Sequence, residues 1–418
     1  MKKRGKTRKR RGGKGAGGFA RARALVGGFV SRTGHFPLPR FVREMKKLKI
    51  GALSGGNRLR LIVGGDECYR EFASAIRSAR RSVNLETYIF NSDDVGWMIA
   101  KLLAKKAKRG VEVNVIYDAV GCLGTDPELF RYLEKSGVEL LEYHPLLPWK
   151  KFFNLGSRDH RKVLVVDGRV AFVGGMNIGN EYAGKRCGGG GWRDTHLRIE
   201  GPAAGDVQFF FMENWFRYGG AVVDFARHFP EHRKGGSKLV MLMSSRARRH
   251  SKPIRQSYLT AIRYARESIC ITSAYFIPDG SVYRALVRAA RRGVDVKLLL
   301  PGKSDLLFVI KAGRYLYRRY LKNGIRVFEY APSVLHAKTA VIDGVWSTIG
   351  SSNIDHLSFS RNLEINAIVL DQEFGREMER MFARDLVKSA EVTLDTWARR
   401  SPLEFLAEWF FYRFRKLM

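Results

Sequence analysis

Residues 160–167 read HRKVLVVD, residues 336–343 read HAKTAVID, and both match the pattern His-x-Lys-x4-Asp. Each stretch is followed, at the same distance, by a segment that ends in asparagine: GGMN at 174–177 and GSSN at 350–353. Two copies with matching flanks indicate an internal duplication, because self-similarity at a fixed offset reflects architecture. The sequence therefore predicts two equivalent half-sites in one chain.

Each copy has the pattern of a β-hairpin. A histidine and a lysine two positions apart on a strand point to the same face of a sheet. The apolar run behind them is typical of a buried strand, and the Asp-Gly that follows is a hairpin turn signal. Asp167 and Asp343 belong to the predicted catalytic motif, but their position in the turn favours a structural role.

The residue types at the head of the two strands suit a phosphate diester. Two such faces would bring His160, His336, Lys162 and Lys338 around one pocket. The ammonium groups would neutralise the non-bridging phosphate oxygens. One imidazole could attack phosphorus and the other could protonate the leaving oxygen. Because the lysines supply the positive charge, and no convincing metal-ligand cluster is present, we predict neither a metal nor a cofactor.

Alternating strand and helix patterns occur in both halves and predict an α/β layered fold. A stretch at 231–245, with KGGS at 234–237, is the predicted boundary between the halves. The predicted elements of the first half are strands at 59–63, 83–90 and 111–118 and helices at 67–80 and 95–109. Those of the second half are helices at 255–266 and 281–292 and strands at 268–276 and 294–300.

The net charge of +35 indicates an anionic partner, either nucleic acid or a membrane surface. Residues 1–18 are rich in Lys, Arg and Gly and are predicted to be disordered. Residues 19–50 are expected to form amphipathic pieces that settle only on a surface. No apolar stretch approaches the roughly 18 residues of a membrane-spanning helix, so the chain is expected to lie on a membrane. Its four cysteines lack paired spacing and indicate the reducing, cytoplasmic side.

Two aromatic and basic segments are candidates for membrane contact. They are PLLPWKKFF at 145–153 and the C-terminal stretch 403–416. Aromatic rings beside cations suit the boundary between acyl chains and phosphates, although ordinary packing is the alternative. Nucleic acid also attracts such residues, but bulky apolar runs suit lipid better. The predicted membrane-contact residues are Trp149, Phe152, Phe153, Trp409 and Phe410.

With both motifs intact, the sequence resembles the phospholipase D superfamily and, within it, the short bacterial cardiolipin synthases that lack N-terminal transmembrane helices. Further matches are WRD at 192–194, IEGP at 199–202 and SFSRNLE at 358–364. The resemblance covers about residues 56–390. It implies two α/β/α lobes related by pseudo-twofold symmetry, with the active site between them. The implied organisation is a basic tail at 1–50, lobes at 56–232 and 237–390, and an amphipathic segment at 391–418.

The resemblance also implies a mechanism. One histidine, which we take to be His160, forms a covalent phosphatidyl-histidine, and His336 acts first as acid and then as base. With phosphatidylglycerol as donor and acceptor, the products are cardiolipin and glycerol. Asp194 and Glu364 match the family's acids after each motif and are expected to bind the far nitrogen of an imidazole, with a strand-end surface acid as the alternative. The predicted supporting or phosphate-binding residues also include Asn177, Asn353 and Ser351, with turn capping as the alternative for the asparagines.

These motifs do not separate transfer from hydrolysis. A phospholipase D-type hydrolase or a nuclease of the same superfamily is the alternative, and a non-catalytic protein that binds anionic surfaces is a weaker one. The expected partners are an anionic phospholipid surface and phosphatidylglycerol as substrate, with nucleic acid less favoured and no obligate protein partner. The expected location is peripheral, on the cytoplasmic side of the cell membrane.

Overall fold

A computed structural model of the protein describes residues 36–48, 51–154, 156–185, 188–232, 234–245 and 252–415. The predicted disordered tail at 1–18 lies outside the described residues. The described strands form one continuous sheet. They are β1 (Leu53–Val63), β2 (Ser82–Thr87), β3 (Glu112–Asp118), β4 (Glu139–Tyr143), β5 (Val163–Val166), β6 (Val170–Gly174), β7 (Thr195–Glu200), β8 (Lys238–Ser245), β9 (Ser268–Ser273), β10 (Asp295–Pro301), β11 (Arg326–Tyr330), β12 (Lys338–Ile342), β13 (Trp346–Gly350), β14 (Glu364–Leu370) and β15 (Ser389–Val392).

Helices connect these strands and cover the sheet. They are α1 (Leu38–Lys47), α2 (Gly65–Ser78), α3 (Asp94–Ala107), α4 (Pro127–Lys135), α5 (Pro202–Arg217), α6 (Phe225–His228), α7 (Pro253–Tyr264), α8 (Gly280–Arg291), α9 (Leu307–Arg314), α10 (Tyr317–Lys322), α11 (His356–Ser360), α12 (Gln372–Leu386), α13 (Leu394–Ala398) and α14 (Pro402–Arg413). None of these described helices is long and apolar enough to cross a membrane.

The two halves of the sheet have the same strand order. It is β1-β7-β6-β5-β2-β3-β4 in the first half and β8-β14-β13-β12-β9-β10-β11 in the second, where β15 adds to the edge. In each half the last three strands are parallel, and the motif strand pairs with its neighbours in antiparallel fashion. Antiparallel pairing of β1 with β8 joins the halves. The predicted α/β fold with two related lobes is thus confirmed.

Equivalent helices begin and end on equivalent signals. Asp93 caps α3 by accepting from Gly96 N, and Asp279 caps α8 by accepting from the amides that follow it. After these helices the chain turns at Gly110 (φ 79°) and Gly293 (φ 87°), in the left-handed region that favours glycine. The helix bounds therefore fall within about two residues of the predicted ones.

The first strand of each βαβ unit ends before its predicted end. β2 stops at Thr87 and β9 at Ser273, whereas the apolar pattern continues to residues 90 and 276. Beyond both strands the chain leaves the sheet, and Tyr88 and Tyr275 line a cavity. The apolar pattern could not show where the strands end, because the side chains that follow β2 and β9 are also buried or half-buried.

A shared core holds the lobes together. One hydrophobic cluster includes buried residues from both halves, among them Leu197, Ile199, Val240, Val341 and Phe382. Each of these side chains is no more than 5% exposed, and full burial of such a side chain stabilises the fold by roughly 1.5–3 kcal/mol. The position of one lobe against the other is therefore fixed by packing.

Residues 36–48 do not behave as predicted. Instead of settling only on a surface, Phe41 and Met45 of α1 are buried in the second lobe, and the Phe41 ring lies 6.4 Å from that of Trp346. Glu44 pairs with Arg263 at 2.8 Å. The reason is the spacing of the apolar positions along α1, which puts one continuous apolar stripe against the second-lobe helices.

The C-terminal boundary also differs from the predicted one. The predicted second lobe ends at residue 390, but β15 spans Ser389–Val392 and pairs antiparallel with β11. The lobe therefore continues through this edge strand, and the amphipathic segment consists of α13 and α14. Pattern reasoning missed β15 because the strand is short and half exposed.

Candidate active site

The two motif hairpins bring the histidines to one end of the sheet and the aspartates to the other. Asp167 (φ 53°) and Asp343 (φ 50°) occupy left-handed turn positions that a short polar side chain tolerates. Each carboxylate accepts hydrogen bonds from three successive backbone amides, at residues 80–82 and 266–268 respectively. Their inclusion in the catalytic set is therefore corrected: they hold the hairpin end that lies away from the histidines.

Each histidine is held by an acid of the other lobe. His336 Nδ1 donates to Asp194 Oδ2 at 2.6 Å, and His160 Nδ1 lies 3.0 Å from Glu364 Oε1. Both acids are fully buried. Each carboxylate thus contacts the Nδ1 atom of a motif histidine, as the resemblance implied. The sequence did not indicate that each acid contacts the histidine of the opposite lobe, an arrangement we call the exchange of acids between the lobes.

Backbone contacts support this exchange. His160 N donates to the carbonyl oxygen of Leu363, the residue before Glu364, at 3.0 Å. His336 N donates to the carbonyl oxygen of Arg193, the residue before Asp194, at 2.8 Å. The same short bridge therefore forms twice, and it fixes each acid against the opposite motif.

A cavity of about 370 Å³ opens between the lobes at this point. It contains both histidines, which approach it from opposite lobes. Its wall is formed by Tyr88, Ile89, Arg158, His160, Asn177, Tyr182, Trp192, Tyr275, Asp305, Leu306, Phe308, Val309, His336, Asn353, Asp355, Leu357, Ser358 and Asn362.

The motif lysines lie just beneath this wall. Lys162 and Lys338 are 2% and 1% exposed, and each ammonium donates to the carbonyl oxygen of its own motif histidine, at 2.7 Å for Lys162. Lys162 Nζ also lies 5.1 Å from the centre of the Tyr88 ring. Two cations are thus fixed next to both imidazoles, where a phosphate would need them.

The three predicted supporting residues other than the two acids have different surroundings. Asn177 lines the cavity, while its Oδ1 accepts from Ile89 N at 3.2 Å. Asn353 also lines the cavity, and its Oδ1 accepts from Tyr275 N at 3.3 Å. Ser351 does not line it: its buried hydroxyl donates to Glu364 Oε2 at 2.5 Å. Ser351 therefore positions an acid rather than a phosphate.

Burial shapes the protonation of the site. It lowers the pKa of Lys162 to about 7 and that of Lys338 to about 8. Burial and the neighbouring lysines also lower the pKa of both His160 and His336. As a result, the two lysines titrate near neutral pH, and both imidazoles favour their neutral form.

The two acids differ in their charge state. Burial raises the pKa of Glu364 well above its usual range. Burial also acts on Asp194, but His336 and Lys338 outweigh it and hold the pKa of Asp194 below its usual value. Asp194 therefore loses its proton more readily than Glu364, and the two histidines are not electrostatically equivalent.

Sequence reasoning did not single out several residues of the wall. Tyr182 and Trp192 lie against the His336 ring, with ring centres 5.4 and 5.8 Å away. Trp192 stands in the WRD match, which was a usable signal. Arg158 and Asp305 lie in loops with no recurring pattern, so no sequence signal pointed to them.

The predicted membrane-contact residues lie on both lobes. Trp149 is 79% exposed, and Phe152 and Phe153 are partly exposed, with Phe152 also packed on Tyr218. On the second lobe, α14 exposes Trp409 and Phe410. The opposite side of α14 packs on α9, the helix that contributes Phe308 and Val309 to the cavity wall.

Comparison with known proteins matches this architecture. A family model described as cardiolipin synthase, PLD-like domain, matches residues 72–186 and 258–386. The chain belongs to the cardiolipin synthase family. A cardiolipin synthase of Listeria innocua is 35% identical over 351 residues, which cover 84% of this chain and 73% of that protein. A cardiolipin synthase of Staphylococcus aureus is 36% identical over 353 residues, covering 84% and 71%.

Solved structures show the same fold at low identity. Phosphatidylserine synthase of Haemophilus influenzae has a TM-score of 0.69 at 12% identity, covering 90% of this chain and 98% of that one. Polyphosphate kinase of Porphyromonas gingivalis has a TM-score of 0.56 at 17% identity, covering 85% and 52%. The predicted resemblance to short cardiolipin synthases is thereby confirmed at the level of the family.

Proposed function

We propose that this chain is a cardiolipin synthase that transfers a phosphatidyl group from one phosphatidylglycerol to another. The observation that carries the proposal is the pair of cross-lobe histidine–acid contacts around one cavity, in a chain that belongs to this family. Two buried lysines beside the imidazoles suit a phosphodiester, because they neutralise the non-bridging oxygens as charge develops.

The unequal acids support a division of labour. An Nδ1–H of His160 that donates to Glu364 leaves the Nε2 lone pair free for attack on phosphorus. Asp194 is the more readily ionised of the two acids and lies closer to its histidine, so it favours a second proton on His336. His160 is therefore the proposed nucleophile, and His336 the acid that gives its proton to the leaving glycerol oxygen.

The second half of the reaction runs through the same groups. The acceptor hydroxyl gives its proton to His336, its oxygen attacks phosphorus, and the P–N bond to His160 breaks. Cardiolipin forms, and both histidines return to their starting state. The lysines stay protonated and serve the phosphate throughout.

The direct test is product analysis with phosphatidylglycerol vesicles. We expect cardiolipin and glycerol in equal amounts, identified by mass spectrometry. Phosphatidic acid as the main product would indicate a hydrolase, and cleavage of DNA without lipid turnover would indicate a nuclease. Either outcome would overturn the proposal.

We expect a bell-shaped dependence of kcat/KM on pH. The attacking His160 must be neutral, and its lowered pKa places the acid limb below pH 6.5. The alkaline limb has two sources, because His336 must be protonated to act as the acid and the lysines must be charged to bind phosphate. The pKa of His336 is lowered, so loss of its proton begins the fall in activity, and the lysines extend the fall as pH rises through about 7 to 8. Lys162→Arg, whose guanidinium does not deprotonate, should move the lysine part of the alkaline limb upward in the surviving activity. An alkaline limb unchanged by this substitution would contradict the assignment.

Contact with an anionic membrane surface, on the cytoplasmic side, is the proposed setting. Exposed aromatic side chains on both lobes and the net charge of +35 support it. The contact would remove apolar side chains from water, and this stabilises the bound state by roughly 25 cal/mol for each Å² of apolar surface buried. A diacyl substrate could then enter the cavity without leaving the surface.

Trp149→Ala combined with Phe410→Ala is expected to lower activity on vesicles at least about tenfold, and to leave a short-chain monomeric substrate almost unaffected. The melting temperature should change little, because both side chains are exposed. Val222→Ser, at a residue that is 98% exposed but outside both segments, is the matched control. Equal losses on both substrates would show that these residues act by packing.

A further inference from the structure

The cavity wall holds a negative charge that phosphodiester chemistry does not require. Asp305 lies between β10 and α9 and lines the same cavity as both histidines. Its Oδ2 accepts from the Tyr275 hydroxyl at 2.7 Å, and its Oδ1 accepts from Ser304 Oγ at 2.8 Å. Although burial raises the pKa of Asp305, His336 and Tyr275 hold it below the usual range, so the side chain is ionised at neutral pH.

An ionised carboxylate at this position repels a phosphate placed directly against it and attracts a group that can donate a hydrogen bond. It carries only acceptor sites, and each oxygen has capacity beyond the one hydroxyl it already binds. The first-lobe side of the same cavity carries Arg158 instead. The charged side chains that line the two sides therefore differ, with Arg158, which lies 3.5 Å from Asp118, on the first lobe and Asp305 and Asp355 on the second.

We propose that Asp305 accepts a hydrogen bond from a hydroxyl of the glycerol headgroup, and so selects a glycerol-bearing acceptor over water. The inference rests on the proposed function. In the transfer step the terminal hydroxyl gives its proton to His336 while its oxygen attacks phosphorus and the P–N bond breaks. The neighbouring hydroxyl donates to Asp305. Water can make the same attack, but it carries no neighbouring hydroxyl that Asp305 could hold while the attacking oxygen gives its proton to His336.

The test uses the full chain, phosphatidylglycerol vesicles and two soluble acceptors that compete with water. Labelled glycerol reports headgroup exchange, methanol reports phosphatidylmethanol, and water reports phosphatidic acid. In Asp305→Asn, glycerol exchange relative to phosphatidylmethanol should fall about 10- to 100-fold, the usual scale for a hydrogen bond to a charged group. The ratio of cardiolipin to phosphatidic acid should fall in parallel.

Three further variants keep the result interpretable. Asp295→Asn removes an exposed acid of the same lobe outside the cavity and should leave all ratios unchanged. Asp305→Glu should retain part of the preference. Tyr275→Phe removes the hydroxyl that orients the carboxylate, and should shift the ratios in the same direction by a smaller factor.

Two results would overturn the inference. If Asp305→Asn lowers all three products equally and moves the alkaline limb of the pH profile, Asp305 is only a counter-charge for His336. If it spares glycerol exchange but abolishes the use of an ethanolamine headgroup, it recognises an ammonium. A wild-type chain that forms no cardiolipin would contradict the proposed function, whereas the glycerol-to-methanol ratio would still report on Asp305.

Discussion

His160→Ala and His336→Ala are each expected to reduce cardiolipin formation by at least about 10⁴-fold, which corresponds to roughly 5 kcal/mol of lost transition-state stabilisation. Each histidine lines the cavity from its own lobe, so neither can replace the other. His232→Ala, at a histidine outside the cavity, is the matched control and should retain activity and fold.

The same pair of variants identifies the nucleophile. A substrate whose headgroup is a good leaving group does not need the acid, so His336→Ala should still form the phosphatidyl adduct but release it slowly. We expect the adduct on His160 in quenched digests analysed by mass spectrometry. An adduct on His336 in the His160→Ala protein would reverse the assignment.

Asp194→Asn is expected to lower kcat by about 10² to 10⁴-fold, whereas Glu364→Gln should cost only about 10- to 100-fold. The reason is that Asp194 is more readily ionised than Glu364 and its Oδ2 lies 2.6 Å from His336 Nδ1. Steady-state rates of the two purified variants on the same vesicles would measure the difference. Their fold can be compared by melting temperature, because both acids are buried.

Equal losses in the two variants would contradict unequal roles for the histidines. A larger loss in Glu364→Gln would instead place the proton donor at His160. Either outcome leaves the family assignment intact, because it concerns only the division of work between two groups in one site.

Much of this architecture could be predicted because local rules and tertiary structure agree. The motif strands, the Asp-Gly turns and the helices that end near Gly110 and Gly293 follow from period, turn chemistry and conformational preference. The resemblance correctly pointed to Asp194 and Glu364 as acids beside the motif histidines.

What could not be predicted depends on contacts between distant segments. The partner of Asp194 lies 142 positions away in the other lobe. The burial of α1 requires the second-lobe surface that receives it, and nothing in residues 36–48 describes that surface. The roles of Ser351 and Asp305 likewise arise from neighbours that only the folded chain supplies.

The exchange of acids between the lobes makes the two halves mutually dependent. An isolated half, however well folded, would hold a histidine without its carboxylate and a carboxylate without its histidine. In a symmetric pair of identical halves, both sites would also have to carry the same acid. Covalent fusion removes that constraint: an aspartate can stand on one side and a glutamate on the other. The two lobes of one chain can therefore differ in their acids, which suits a reaction that uses two copies of one substrate in different roles.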